Sequence, residues 1–267
     1  MSLQIIIVLI LTIIIYIIST LAYSVRIVAV KTGRVAVAFA VFNVFALISR
    51  TANSIQTPLL SKKIESSISN GNPESLLFMF RWILAATTLA TIIGALLMPT
   101  FIKVFKKLVE SFSIHRSIPR LIMHGFSKAG VEQFKNNLTQ PKRSNIAQLK
   151  NFKGLPKKII ILNTLASSIS IVGGMSALYA SCLFPDLRMT GSALSPIING
   201  IATVTMFIFI DPYISMLTDD VLRGECDELQ FNRVIIFIVM GQILGTVLAQ
   251  LFLVPAAQII VFIAKLI

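Results

Sequence analysis

Five polar residues between Phe42 and Leu60 set the chemical question: Asn43, Arg50, Asn53, Gln56 and Thr57. They interrupt FNVFALISRTANSIQTPLL, a stretch otherwise long and apolar enough to cross a bilayer. On a helix, Asn43, Ala46, Arg50, Asn53 and Thr57 recur at spacings of three and four and share one face, with Ser49 and Gln56 to one side. Arg50 falls within about one turn of the middle of the span. A guanidinium at that depth costs at least ~2.5–3.5 kcal/mol on insertion scales, and more if it faces lipid. It therefore needs a wet cavity, a carboxylate or an anionic ligand.

The carboxylate on offer is Asp211 in FIDPY, where Pro212 is expected to break the helix and free carbonyls. An Arg50–Asp211 ion pair would make the stripe architecture. The amides and hydroxyls beside Arg50 argue for a lined cavity instead, since such groups suit sugars, peptides and phosphates. Arg26 and Arg34 precede the same span. With Arg50 they form a graded basic path for an anion, and guanidinium binds phosphate through two parallel hydrogen bonds. Asn163 and Asn199 would add amides from the second half of the chain, or hydrogen-bond between helices. Arg81, near the start of its helix, is expected to snorkel to the interface.

Tools for bond-breaking chemistry are missing. His115 and His124 stand apart from any cysteine or carboxylate cluster, so no metal site is expected. There is no Walker A loop, GxSxG, HExxH or pair of intramembrane carboxylates, and no cofactor is expected. Transport needs none of these.

The elements that hold these residues follow from composition. Of 267 residues, 55% are hydrophobic and 13% charged. That is too much apolar surface for a soluble domain, and runs near ~20 apolar residues match the hydrocarbon thickness. The reading is an all-α integral membrane protein of six transmembrane helices: Leu3–Tyr23, Val35–Leu60, Leu76–Met98, Ile159–Phe184, Ala193–Leu217 and Val234–Pro255. Breaks are expected at Pro99, at Pro185 and across Ser69–Pro73. The first span lacks the basic start and cleavage site of a signal peptide and is taken as retained.

Residues 99–158 carry thirteen Lys or Arg against Glu110 and Glu132, which places this segment, with Arg26, Lys31 and Arg34, in the cytoplasm and both termini outside. The acidic loop Thr218–Arg233 then also faces the cytoplasm, and Cys182 and Cys226 lie on opposite faces, too far apart for a disulfide. The basic segment would attract anionic membrane lipids; without interleaved aromatics it does not suggest nucleic acid. Within it Phe101, Val104, Phe105, Leu108 and Phe112 recur at helical spacing, as in an interfacial amphipathic helix.

The organisation is read as a three-helix unit (1–98), the basic segment (99–158) and a second three-helix unit (159–267). An odd helix number makes the second unit inverted in the membrane. Tyr23, Asn43, Arg81 and Gly94 fall in the same order as Tyr179, Asn199, Arg233 and Gly245, and Thr32-Gly33 matches Thr190-Gly191. A 3+3 inverted-topology repeat suits alternating access around a midplane site. Gly94 and Gly245 mark close helix contacts, either within one chain or between the subunits of a homodimer.

Tyr23–Leu60, containing SRTAN with the following Gln56 and Pro58, and Ile197–Tyr213, with ING and DP, resemble the signature stretches of the Amj family. Length, helix number and the basic middle segment agree along essentially the whole chain. The resemblance implies a bacterial lipid II flippase that moves the undecaprenyl-pyrophosphate-linked peptidoglycan precursor from the cytoplasmic to the outer leaflet of the cell membrane. It transfers no substrate contacts. From the physical argument, Arg50, Asn43, Asn53, Gln56, Arg26, Arg34 and Asn199 are expected to bind substrate, with Asp211 as an ion-pair or coupling residue. The alternatives are a membrane enzyme processing a polyprenyl phosphate, an ion-coupled small-solute transporter, and a scaffold whose polar groups only fix helix packing.

Overall fold

A computed structural model of the chain describes residues 3–69, 73–115, 139 and 154–266. Six helical stretches are long and apolar enough to span a membrane. Among the described residues there is no strand. The helices are α1 Leu3–Thr32, α2 Val35–Ser69, α3 Pro73–His115, α4 Lys157–Leu183, short α5 Arg188–Ala193, α6 Ser195–Thr205, α7 Asp211–Leu222 and α8 Glu228–Leu266. A π-turn over Met206–Ile210 joins α6 to α7, so α5 to α7 form one crossing. Most of the basic segment, including His124 and Glu132, lies outside the described residues, as do residues 70–72.

Two expected helix ends fail. Pro99 sits inside α3, which runs on to His115, and α2, expected to stop at Leu60, runs on to Ser69. In a membrane helix the missing N–H of proline frees only one carbonyl, a loss smaller than exposing a whole unwound turn to hydrocarbon. Pro212 likewise does not end its crossing: the π-turn precedes it, and the Asp211 N–H donates to the Met206 carbonyl. Pro185 and Pro73 do mark boundaries, one following α4 and the other opening α3. The 43 residues of α3 and 39 of α8 extend about 65 Å and 59 Å, twice the hydrocarbon thickness, so both project well beyond it.

The continuation of α3 also changes the reading of Phe101–Leu108. Its apolar side is covered from within. Phe105 is fully buried against Val25, Val28, Ala38 and Val41. The Phe101 and Phe105 rings stack at 4.9 Å, and Phe42 and Phe45 meet them edge-on. The periodicity that looked interfacial is the ordinary packing stripe of a long helix.

Successive spans alternate in direction, and both described ends fall on one side: Val8 and Ala264 share a core with Leu60, Ile64, Phe80, Leu84 and Tyr179. A second core at the opposite, basic end joins Leu21, Ile27, Met98, Ile214, Phe231 and Ile238. In each triplet the first helix packs most closely on the third, α1 on α3 and α4 on α8. Gly94 on α3, and Gly241 with Gly245 on α8, permit this approach. A Cβ on Gly94 would stand 2.8 Å from the Thr20 Cβ of α1, and one on Gly245 would stand 2.6 Å from the Thr164 carbonyl oxygen of α4. Both contacts are within one chain.

Candidate functional site

The polar stripe of α2 is real, and it faces outward. Asn43, Arg50, Asn53 and Thr57 are all exposed, as are Thr51 and Ser54 nearby. The hydroxyls satisfy themselves along the helix: Thr51 donates to the Leu47 carbonyl at 2.9 Å, Ser54 to Arg50 at 3.1 Å and Thr57 to Asn53 at 3.0 Å. Such back-bonding is what short hydroxyl side chains do inside helices. The side chains of Asn43, Arg50 and Asn53 have no such recourse, and among the described residues none of the three has a hydrogen-bond or ionic partner. The groups left open on this face are thus one guanidinium and two amides.

Gln56 turns the other way. It is buried, and its Nε2 donates to the Thr12 hydroxyl of α1 at 2.7 Å. The angular offset visible in the sequence places it on the α1–α2 seam, where its amide ties two helices together.

Asp211 does not pair with Arg50. Its partner is Arg26 of α1, whose Nη2 donates to Asp211 Oδ1 at 3.0 Å while Nη1 donates to the Ser215 hydroxyl at 2.9 Å. Asp211 and Ser215 are one turn apart on α7, so the two arms of the guanidinium meet an oxygen each. The Arg26 side chain is 13% exposed and that of Asp211 46%. The Arg26 guanidinium also lies 5.5 Å from the centre of the Phe39 ring on α2. Arg26 thus stands between α2 and α7 near the basic end. The ion pair expected between α2 and the fifth crossing is made from α1 instead, because Arg26 is closer to the level of Asp211.

Phe39 supplies the link. It precedes Asn43 by four residues and therefore belongs to the same face of α2 as Asn43, Arg50, Asn53 and Thr57. From the Arg26 clasp at Phe39, that face climbs about 6 Å to Asn43, about 16 Å to Arg50 and about 21 Å to Asn53. Arg34 is exposed just beyond the clasp, after the tight turn that Gly33 makes at φ +66°. The structure therefore brings Arg26, Asn43, Arg50 and Asn53 onto one track, with Arg34 at its basic end.

Asn199 lies elsewhere. Its Oδ1 fits against α4 where Gly173 leaves no Cβ, and its Nδ2 donates to Ser195 at 3.3 Å. Asn163 is fully buried: its Nδ2 donates to the Ile238 carbonyl of α8 at 2.9 Å, and its Oδ1 accepts from the Tyr23 hydroxyl at 3.1 Å. It pins the two halves to one another. Sequence reasoning missed Ser215 and Phe39. One more turn in each direction, four residues past Asp211 and four before Asn43, would have found both.

The family model described as "Amj: Alternate to MurJ" matches residues 11–264. The chain belongs to the Amj family. It is 34% identical over 254 residues to the lipid II flippase Amj of Bacillus subtilis (strain 168), covering 93% of this chain and 92% of that protein. No solved structure matches it. Membership in the Amj family and six apolar crossings make this a multi-pass membrane protein, and its open guanidinium and amides stand on a span that must contact lipid or whatever covers it.

Proposed function

We propose that this protein is a flippase for lipid II, carrying the pyrophosphate-linked disaccharide-pentapeptide from the cytoplasmic to the outer leaflet while the polyprenyl tail stays in the bilayer. A flippase is a transporter rather than a catalyst, in keeping with a site built from a guanidinium and amides. The single observation that carries the reading is the exposed, unpartnered Arg50 on a face that leads down to Arg26. Lipid II needs such a track: a laterally open one, because its tail cannot be enclosed, and one with a fixed positive charge midway, because its pyrophosphate would otherwise cross hydrocarbon unpaired. Arg34 and Arg26 receive the phosphates at the inner face, Arg50 holds them midway, and Asn43 and Asn53 replace water around phosphate and sugar.

The basic end is taken as cytoplasmic, where its lysines and arginines also attract anionic lipid. The chain divides into two three-helix repeats of inverted topology, 1–98 and 159–267, around the basic segment. The equivalent seating of Gly94 on α1 and Gly245 on α4 supports that division, and rocking of one repeat on the other would move the head group past Arg50. A membrane potential negative inside favours outward movement of the phosphate charge by ~2.3 kcal/mol per charge per 100 mV.

The test is leaflet exchange of fluorescent lipid II in proteoliposomes of the purified protein. Wild type exchanges the lipid. Arg50→Ala, exposed and unpartnered, folds to normal yield and loses exchange. Exchange at the wild-type rate in that variant removes Arg50 from the path and takes the proposal with it.

A further inference from the structure

The Arg26 clasp has the form of an occupied anion site. Two oxygens one helical turn apart, a carboxylate at 3.0 Å and a hydroxyl at 2.9 Å, meet the two Nη groups of one guanidinium. This is the two-point pattern that a phosphate also presents. The clasp joins the end of α1 to the start of α7, directly after the π-turn Met206–Ile210. A π-turn carries one residue more than the helix needs, so α7 can shift register there without breaking its crossing. The flank of the clasp is open, with Asp211 almost half exposed, and the α2 face bearing Arg50 begins beside it at Phe39.

We propose that Asp211 and Ser215 are an internal stand-in for the substrate's phosphate oxygens. In the empty protein they occupy Arg26 and hold α7 against α1. An incoming polyprenyl pyrophosphate, with more charge and more oxygens than one carboxylate and one hydroxyl, takes their place, and α7 moves away from α1. Arg26 stays paired throughout, so neither state leaves it a bare buried cation. The inference rests on the flippase reading and adds a switch to it. A ligand shifts such an equilibrium only through differential affinity for the two states, and competition for one guanidinium supplies that difference.

A purely structural ion pair makes opposite predictions. If the clasp is closed about nine-tenths of the time, the apparent affinity for ligand is lowered about tenfold, and removing the competitor restores it. The experiment uses full-length protein with both native cysteines replaced, in phosphatidylcholine liposomes, with spin labels on Thr32→Cys of α1 and Leu222→Cys of α7. Undecaprenyl pyrophosphate lengthens the label distance in the otherwise unaltered protein. In Asp211→Ala the distance is already long, and undecaprenyl pyrophosphate binds up to about tenfold more tightly. Ser215→Ala moves both readouts the same way by less. The exchanged pair, Arg26→Asp with Asp211→Arg, keeps the short distance and no longer responds. Weaker or unchanged binding in Asp211→Ala overturns the proposal, as does an unaltered distance when undecaprenyl pyrophosphate is added. Leaflet exchange is scored separately: exchange without any distance change sinks the switch alone, whereas no exchange sinks the flippase reading whatever the labels report.

Discussion

Replacing Gly245 with alanine tests the packing that positions the whole site. The new Cβ would stand 2.6 Å from the Thr164 carbonyl oxygen, 2.9 Å from the Ser167 Cβ and 3.2 Å from the Ser168 nitrogen. The first distance is about 0.8 Å short of ordinary contact, and its partner is backbone, which no rotamer change can move. The helices must part, and a gap of 0.5–1 Å forfeits roughly a quarter to a half of each dispersion contact it opens. Overpacking of this kind costs about 1–3 kcal/mol, offset by about 1 kcal/mol of better helix propensity. A clash this short against backbone belongs in the upper part of that range, about 2–3 kcal/mol, so the net loss is roughly 1–2 kcal/mol, or about 2–8 °C for a chain of this size. Gly94→Ala makes the instructive comparison. Its nearest neighbour is the Thr20 side chain at 2.8 Å, with the Ile17 carbonyl at 3.3 Å. That neighbour is the Thr20 Cβ, which is fixed to the α1 backbone and which no rotamer moves, so α1 and α3 must also part and the loss should be of similar size. Thermal unfolding of the detergent-solubilised variants, followed by size-exclusion chromatography, gives both losses directly. The added change Ser167→Gly should not rescue Gly245→Ala, since the Thr164 carbonyl remains. An unshifted Gly245→Ala refutes the described α4–α8 approach, and an unshifted Gly94→Ala the α1–α3 one.

Three further outcomes follow from the same structure. Arg50→Lys keeps the charge and loses the fork, so lipid II exchange should run roughly ten- to a hundredfold slower than wild type, from a charge-assisted hydrogen bond of about 1.5–3 kcal/mol, yet faster than Arg50→Ala; equal rates for Lys and Arg would mean that the site senses charge alone. Gln56→Leu deprives the Thr12 hydroxyl of its donor and should lower the melting temperature, by about 1 kcal/mol of stability; lost exchange with an unshifted melting temperature would return Gln56 to the substrate path. Cys226, in the loop before α8, has its thiol pushed up by partial burial and then by Asp220 and Asp227; because the thiolate is the reacting form, alkylation near neutral pH should be slow and should accelerate only as pH rises past the ordinary thiol range. With the basic end cytoplasmic, an impermeant maleimide labels Cys226 in inside-out vesicles and not in intact cells, and labelling in intact cells inverts the topology.

The sequence was most legible where one periodicity had one cause. Six crossings could be read because each is a long apolar run, and the α2 stripe because polar residues on a single face stand out against hydrocarbon. Helix ends were harder. Pro99 looks like punctuation in a chain written for water, yet inside a bilayer continuing the helix is the cheaper choice. Partners across helices were hardest of all. Arg50 and Asp211 are each the conspicuous charge of their span, so pairing them is the economical guess, but pairing is decided by depth and azimuth, which depend on how α1, α2 and α7 tilt. Arg26, near the end of α1, reads in sequence as a topology signal and as the foot of a basic path, and nothing there marks it as the partner of Asp211. Phe101–Leu108 failed for a related reason: the same spacing serves a membrane interface and a helix partner, and only the presence of Phe42 and Phe45 alongside decides between them.

The two arginines of the track resolve the same cost in opposite ways, and the contrast is itself an argument. Arg26 is mostly covered and has a carboxylate, a hydroxyl and an aromatic face. Arg50 is exposed and, among the described residues, has none of these. A protein that needed only a stable α2 had easy remedies at position 50: an apolar residue, or an acid one turn away on the same helix. Neither is present, since Ala46, Asn53 and Ser54 are its neighbours at those spacings. A guanidinium maintained at mid-membrane without an internal partner is stabilised by something outside the chain, and the amides on either side describe it as anionic and hydrogen-bonding. Water alone would satisfy the charge but would not require it. On the proposed flippase reading the substrate does, because among the described residues this face offers its pyrophosphate no other cation between Arg26 and the far end of the stripe at Thr57.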